Sequence, residues 1–153
     1  MQRLYTLADS LTMQKHTYTS LSDTRKIAEA FAHTLAIGDV VAFLGGMGAG
    51  KTAFTRYALS ALGITARVQS PTFAIVNEYK TPDGTQIYHF DMYRISSDAD
   101  LESTGYFDYL DRKDNILFVE WSENITVSIP EHRRLRRIKI ETLSETEREI
   151  TIC

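Results

Sequence analysis

Cysteine is nearly missing from this 153-residue chain: there is one, Cys153. A single terminal thiol excludes an internal disulfide and a cysteine-based zinc cluster, and it suits a reducing cytoplasm, where we expect the protein to reside. Long apolar runs are missing too. The stretch from Met1 to Ser20 is interrupted by Arg3, Asp9, Lys15 and His16, so it offers neither the apolar core of a signal peptide nor a membrane span. No charge of one sign dominates: 17 Lys and Arg stand against 20 Asp and Glu, for a net charge of −3. That balance removes any global electrostatic case for nucleic acid or an anionic membrane. Repeats, linkers and low-complexity segments are likewise absent. With 43% hydrophobic and 24% charged residues, the composition predicts one globular domain over residues 1–153, in which residues 1–14 form an extension of unknown role.

What is present is organised around residues 40–57. Val40-Val41-Ala42-Phe43-Leu44 reads as a strand buried on both faces. It runs into Gly45-Gly46-Met47-Gly48-Ala49-Gly50-Lys51-Thr52, and then into the helical Ala53-Phe54-Thr55-Arg56-Tyr57. The spacing Gly-x-x-x-x-Gly-Lys-Thr is that of the Walker A phosphate loop. In such a loop backbone amides cradle phosphates, the lysine (Lys51) reaches the β and γ groups, and the hydroxyl of Thr52 takes a place on Mg²⁺. The helix behind adds its positive N-terminal end. A glycine-rich turn carrying a surface lysine is the plainer reading, and the flanking strand and helix weigh against it.

Before the loop, Lys15 to Thr19 reads as a short edge strand. Ser20 to Asp23 caps a helix with Ile27, Ala28, Phe31 and Leu35 on one face, ended by Gly38 and Asp39. The phosphate-loop helix is predicted to reach Leu62 and stop at Gly63. Residues 73–79 and 86–93 are rich in β-branched and aromatic types around the turn Thr81-Pro82-Asp83-Gly84, an antiparallel hairpin. Short helices broken at Gly105 follow, then a second buried strand at 115–119. The tail alternates about the polar turn Ser144 to Glu147, which predicts a terminal hairpin. The fold class expected is α/β, a three-layer P-loop sandwich whose sheet is mixed and carries substantial antiparallel hairpin content.

Other residues bear on chemistry. A nucleoside triphosphatase needs an acidic group at the end of a buried strand to hold the metal, and Glu120 stands there; the plainer alternative is an idle, solvated glutamate. Asp91 lies in His89-Phe90-Asp91-Met92-Tyr93-Arg94, where alternation puts His89, Asp91 and Tyr93 on one face. A carboxylate there orients water or accepts its proton, unless it only pairs with Arg94; His89 reads as a structural, hydrogen-bonding residue. Ser70-Pro71-Thr72 is either a turn or a switch aimed at a γ-phosphate. Trp121 reads as a core or interface aromatic. The basic run His132 to Arg137 reads as a solvated face, with docking to an acidic partner, nucleotide phosphates and RNA as rivals in that order.

Taken together, the loop Gly45–Thr52, Ser70-Pro71-Thr72-Phe73, Tyr88 to Arg94, Leu101-Glu102-x-x-Gly105-x-x-Asp108-Tyr109 and Val119-Glu120-Trp121 resemble the TsaE (YjeE) family in order and spacing. The likeness covers roughly residues 15 to 142. It implies an ATPase of the bacterial pathway that forms N6-threonylcarbamoyladenosine in tRNA. Such a protein is weak alone, uses ATP and Mg²⁺, works with TsaB and TsaD, meets tRNA only through that complex, and resets the complex by hydrolysis. Carried over, the resemblance implies a catalytic set of Asp91, Thr72 and Glu120. Nucleotide contacts run from Gly45 to Ala53, and the metal sits on Thr52 and Glu120. Two positions depart from the pattern: Gly46 stands where an acidic or amide residue is usual, and Ala53 where a hydroxyl is usual. Loss of that hydroxyl removes one contact to the α-phosphate, worth about 1 kcal/mol. Two other readings of the loop are a small-molecule kinase, which would need an acceptor pocket and an arginine-bearing lid, and a non-enzymatic module gated by nucleotide.

Overall fold

The computed structural model describes residues 2–3, 14–18, 20–46, 48–68, 76–92, 95–120 and 129–153. Its sheet is built outward from the predicted strand, which runs one residue longer, as β3 (Asp39–Leu44). Before it come β1 (Gln2–Arg3), β2 (Gln14–Tyr18) and α1 (Leu21–Ala32). After it come α2 (Lys51–Ala61), the hairpin β4 (Val76–Lys80) and β5 (Gln86–Asp91), the short helices α3 (Asp98–Ser103) and α4 (Tyr106–Asp111), and β6 (Asn115–Glu120). The chain closes with β7 (Ile129–Pro130), β8 (Arg134–Thr142) and β9 (Arg148–Ile152). Seven strands form one sheet in the order β2-β9-β8-β3-β6-β5-β4, while β1 pairs with β7. The central pairs β8–β3, β3–β6 and β6–β5 are parallel, and the flanking pairs β2–β9, β9–β8 and β5–β4 are antiparallel. This is the mixed sheet expected from sequence, with both hairpins in place.

The period-two rule divides the core cleanly. Val41, Phe43, Ile87, Ile116, Phe118, Ile138 and Ile140 face α1 and α2, meeting Phe31, Phe54, Ala58 and Leu59. Their neighbours Val40, Tyr88, Phe90, Leu117 and Val119 face the other way, onto Leu101, Tyr106 and Leu110 of α3 and α4. Helices therefore cover both faces, as a parallel core requires. Along α2 the buried residues are Lys51, Phe54, Thr55, Ala58 and Leu59, the i, i+3, i+4, i+7, i+8 stripe of an amphipathic helix. Gly63 follows its C-cap at φ 87°, the predicted stop. Gly105, at φ 77°, separates α3 from α4 as expected.

Two expectations about the ends of elements need correction. Helix α1 starts where predicted, with Ser20 Oγ accepting from the Asp23 amide, but it ends at Ala32 rather than at Gly38 and Asp39. Asp39 is instead the first residue of β3. Its carboxylate accepts from the Ala36 amide at 2.9 Å and from Arg134 Nε at 2.7 Å, which fixes the loop between helix and strand. The basic run is a solvated face only in part: His132 and Arg134 are exposed, and Arg133 turns inward. Arg133 is only 2% exposed and donates to the carbonyls of Leu110, Tyr109 and Asn115 and to Asn115 Oδ1. Burial lowers its pKa. Arg136 lies over the Phe31 ring and donates to Thr34 Oγ1. Guanidinium groups with several fixed donors close the end of the sheet here, as lysines would not. Among the described residues no helix is long and apolar enough to cross a membrane.

Candidate functional site

Three parallel strands end at one level. Phe43 on β3, Glu120 on β6 and Asp91 on β5 are in register side by side, and the glycine loop leaves β3 immediately beyond Leu44. Parity places Asp91, His89 and Glu120 on the same face as Phe43 and Phe118, the α2 face. Ligands of open α/β sheets collect at such carboxyl ends, and the loop, the carboxylates and the histidine are all brought there by the topology.

The loop's shape follows from its glycines. Gly45 has φ 142° and packs so closely on the Ile140 carbonyl that a Cβ would collide with it. Gly50, at φ 111°, is the N-cap of α2 and offers no side-chain cap. The first-turn amides are consequently left pointing into the loop, a geometry suited to an anion. Gly46 and Gly48 are exposed, and a Cβ on either would meet nothing within 4 Å. Ala49 is buried and its amide donates to the Gly46 carbonyl at 3.2 Å. Lys51 is only 7% exposed; its Nζ donates to the Gly45 carbonyl at 2.9 Å, so the ammonium is folded across the loop mouth. That burial disfavours the surface-lysine reading. Thr52 and Ala53 are half-buried on the first turn of α2, and Thr55 Oγ1 pins that turn by donating to the Lys51 carbonyl.

At the strand ends Glu120 is 2% exposed, which rules out a solvated glutamate. Its Oε1 lies 3.6 Å from Nε2 of the fully buried His89. The expected hydrogen-bonding role of His89 is not seen among the described residues, where neither ring nitrogen has a partner. The Met92 amide donates to the Glu120 carbonyl at 3.1 Å, extending the β5–β6 pairing past Asp91. Met47, Thr72, Tyr93, Arg94 and Trp121 lie outside the described residues, as do the start of the first hairpin strand and most of residues 1–14.

Two clefts adjoin the loop. One of about 330 Å³ lies against its outer side, lined by Tyr18, Thr24, Ala53, Glu145 and Arg148 along with Gly48 to Gly50. The other, about 680 Å³, runs from Thr52 past Arg56 and Ser60 to the connector 63–68. Neither was anticipated from sequence. The four-residue spacing of Thr52, Arg56 and Ser60 on α2 was the available signal for the second, whereas the first joins residues more than 120 positions apart and left none.

Comparison with known proteins agrees with this geometry. The family model described as Threonylcarbamoyl adenosine biosynthesis protein TsaE matches residues 18–150. The tRNA threonylcarbamoyladenosine biosynthesis protein TsaE of Rickettsia typhi is 40% identical over 72% of this chain and 75% of its own length. The Bacillus subtilis protein of the same name is 38% identical over 84% and 78%. The crystal structure of Bacillus subtilis YdiB superposes with a TM-score of 0.69 at 32% identity, covering 92% of this chain and 84% of that one. On a family match that spans nearly the whole sheet, the glycine loop included, the chain belongs to the TsaE family.

Proposed function

We propose that this protein is an Mg²⁺-dependent ATPase acting in the formation of N6-threonylcarbamoyladenosine in tRNA, alongside TsaB and TsaD. The pathway comes from its family and relatives, whose names carry it. The chemistry rests on one observation above all: a buried lysine folded over a glycine loop, at the same sheet end as two carboxylates.

The residues present fit a nucleotide and its metal. Glycines without a Cβ leave the loop open where phosphates would enter, and the uncapped N-terminus of α2 lies behind it. Among the described residues no cluster of three or more metal-binding side chains occurs. Mg²⁺ is commonly held by one or two protein oxygens together with substrate phosphates. Thr52 and Glu120 would hold it, and Mg²⁺ supplies neutralisation of charge on the phosphoryl oxygens. Lys51 would leave the Gly45 carbonyl for the β and γ phosphates. Asp91, beside Glu120, orients the attacking water or takes its proton. Thr72 would meet the γ-phosphate as part of a switch. The 330 Å³ cleft next to Ala53 falls within the range of about 300–1,000 Å³ usual for small-ligand sites, and we assign it to the nucleoside end.

The test is phosphate release from Mg·ATP by the purified chain, alone and with TsaB and TsaD, for wild type and Lys51→Ala. We expect slow release alone, stimulation by the partners, and loss in the mutant with its melting temperature kept. Undiminished release by Lys51→Ala would overturn the site. Phosphate appearing on a metabolite would favour a kinase.

A further inference from the structure

We propose that the groove between α2 and the connector 63–68 is a docking surface for a carboxylate-bearing segment of a partner protein, anchored by Arg56 and Arg67. The inference rests on the reading above that the protein works within a complex.

The argument starts from how this chain uses its arginines. Seven of the other arginine side chains among the described residues are engaged. Arg25 holds Glu29, and Arg112 donates to Tyr88 and covers the Tyr109 ring. Arg133, Arg134 and Arg136 are tied to carbonyls, to Asp39 and to Thr34, while Arg137 and Arg148 also have partners. Arg56 and Arg67 are exposed, make no such contact among the described residues, and line the same groove. In a chain of net charge −3 that is a local excess of positive charge to which no described residue gives an ion pair.

The groove is also placed to sense nucleotide. Thr52, Arg56 and Ser60 form one stripe of α2, with buried Ile64 and Val68 on the opposite wall. Arg56 stands one helical turn after Thr52, and both line the groove. A bound carboxylate would therefore sit beside the residue proposed to carry Mg²⁺. Two planar guanidinium groups with unused donors match carboxylates in a bidentate way. RNA fits less well, because in the arginine run Arg133 is buried and the guanidinium groups of Arg134 and Arg136 are held by Asp39 and Thr34.

The experiment measures binding of the full chain to TsaB and TsaD from the same organism, and to tRNA, in ADP and in a non-hydrolysable ATP analogue. Wild type is compared with Arg56→Glu, Arg67→Glu and the exposed control Lys80→Glu. Nucleotide affinity and melting temperature are read in parallel. We expect each arginine reversal to weaken partner binding by about tenfold or more and to flatten its salt dependence, with Lys80→Glu and nucleotide affinity unchanged. Equal binding by the arginine variants overturns the proposal alone. A parallel loss of nucleotide affinity assigns the arginines to the nucleotide site and overturns it. So does a loss confined to tRNA binding, or an equal loss in Lys80→Glu. If wild type binds neither partner in either nucleotide, the complex reading fails and the docking surface with it.

Discussion

Strand β6 buries polar groups at both of its ends, and the two ends are treated oppositely. At the start, Asn115 accepts from Arg133, whose guanidinium also reaches the carbonyls of Leu110 and Tyr109. Every guanidinium nitrogen there has a use. At the finish, Glu120 is in register with Phe43, and its Oε1 is 3.6 Å from Nε2 of His89, whose two ring nitrogens have no hydrogen-bond partner among the described residues. A buried polar network that is fully satisfied rigidifies a fold, and one left partly satisfied costs stability that folding alone does not justify. The start of β6 is thus a structural lock, and the finish is the end to which the function proposed above assigns the metal and the attacking water. Between the two ends the strand is apolar on both faces, at Ile116 and Phe118 on one and at Leu117 and Val119 on the other.

The largest effect should come from breaking the lock. Arg133→Met would take from the Leu110 carbonyl and from Asn115 Oδ1 the donor they have in the fold, and from the carbonyls of Tyr109 and Asn115 one of two donors, the others being Asn115 Nδ2 and the Gly38 amide; we expect a loss of about 3 kcal/mol. In a chain of this size that lowers the melting temperature by about 6–12 °C. Nucleotide affinity of the folded fraction should stay the same. If affinity collapses while the melting temperature holds, the two ends are not separate in function.

At the other end the order should reverse, with activity lost and stability kept. We expect Asp91→Ala to lower turnover about 10–100-fold with ATP affinity kept, as loss of a positioned base does. Glu120→Ala should instead raise the Mg²⁺ concentration needed for half-maximal rate. Titration of rate against Mg²⁺ and ATP for both variants separates the roles. Loss of affinity alone in both would merge them.

Much of this contrast was legible in the sequence, though unevenly. The loop, both hairpins, the break at Gly105 and the alternation of His89 and Asp91 against Phe90 were readable because each depends on local spacing. Glu120 was readable as the acidic end of an apolar run. The lock was not. Arg133 finds its partners in α4 and at the head of β6, about 20 positions away, and a run of like charges gives no sign of which member turns inward. Arg134 and Asp39, 95 positions apart, were missed for the same reason, and the misplaced end of α1 followed from reading Asp39 as a helix stop. The clefts, too, exist only once distant segments meet.

A smaller effect should appear at alkaline pH, again at the lock. Burial pushes the Tyr106 phenol well above its ordinary value, and nearby Arg133 offsets this only partly. The folded state therefore keeps the proton that the unfolded chain loses above a pH of about 10. Stability from this group is whole below that pH and falls as pH rises further, by about 1.4 kcal/mol for each unit. Denaturant midpoints from pH 8 to 11 should drop less steeply in Tyr106→Phe than in wild type. Identical slopes would remove Tyr106 from the account.

The smallest expected change tests the contrast most directly, because its sign is opposite to that at Arg133. His89 is fully buried on the α2 face with Ile87 and Phe118 near it, and its nitrogens have no hydrogen bond among the described residues. Leucine is of similar size and has no polar atom to leave unsatisfied. Replacing an unpaired buried polar group by an apolar one of like shape is neutral or stabilising, so His89→Leu should gain up to about 1 kcal/mol. The same change removes the imidazole 3.6 Å from Glu120 and should reduce phosphate release or shift its Mg²⁺ dependence. A protein that becomes more stable and less active would show that His89 is kept for the site. A protein that loses stability, as Arg133→Met is expected to, would place His89 in a second lock and end the distinction between the two ends of β6.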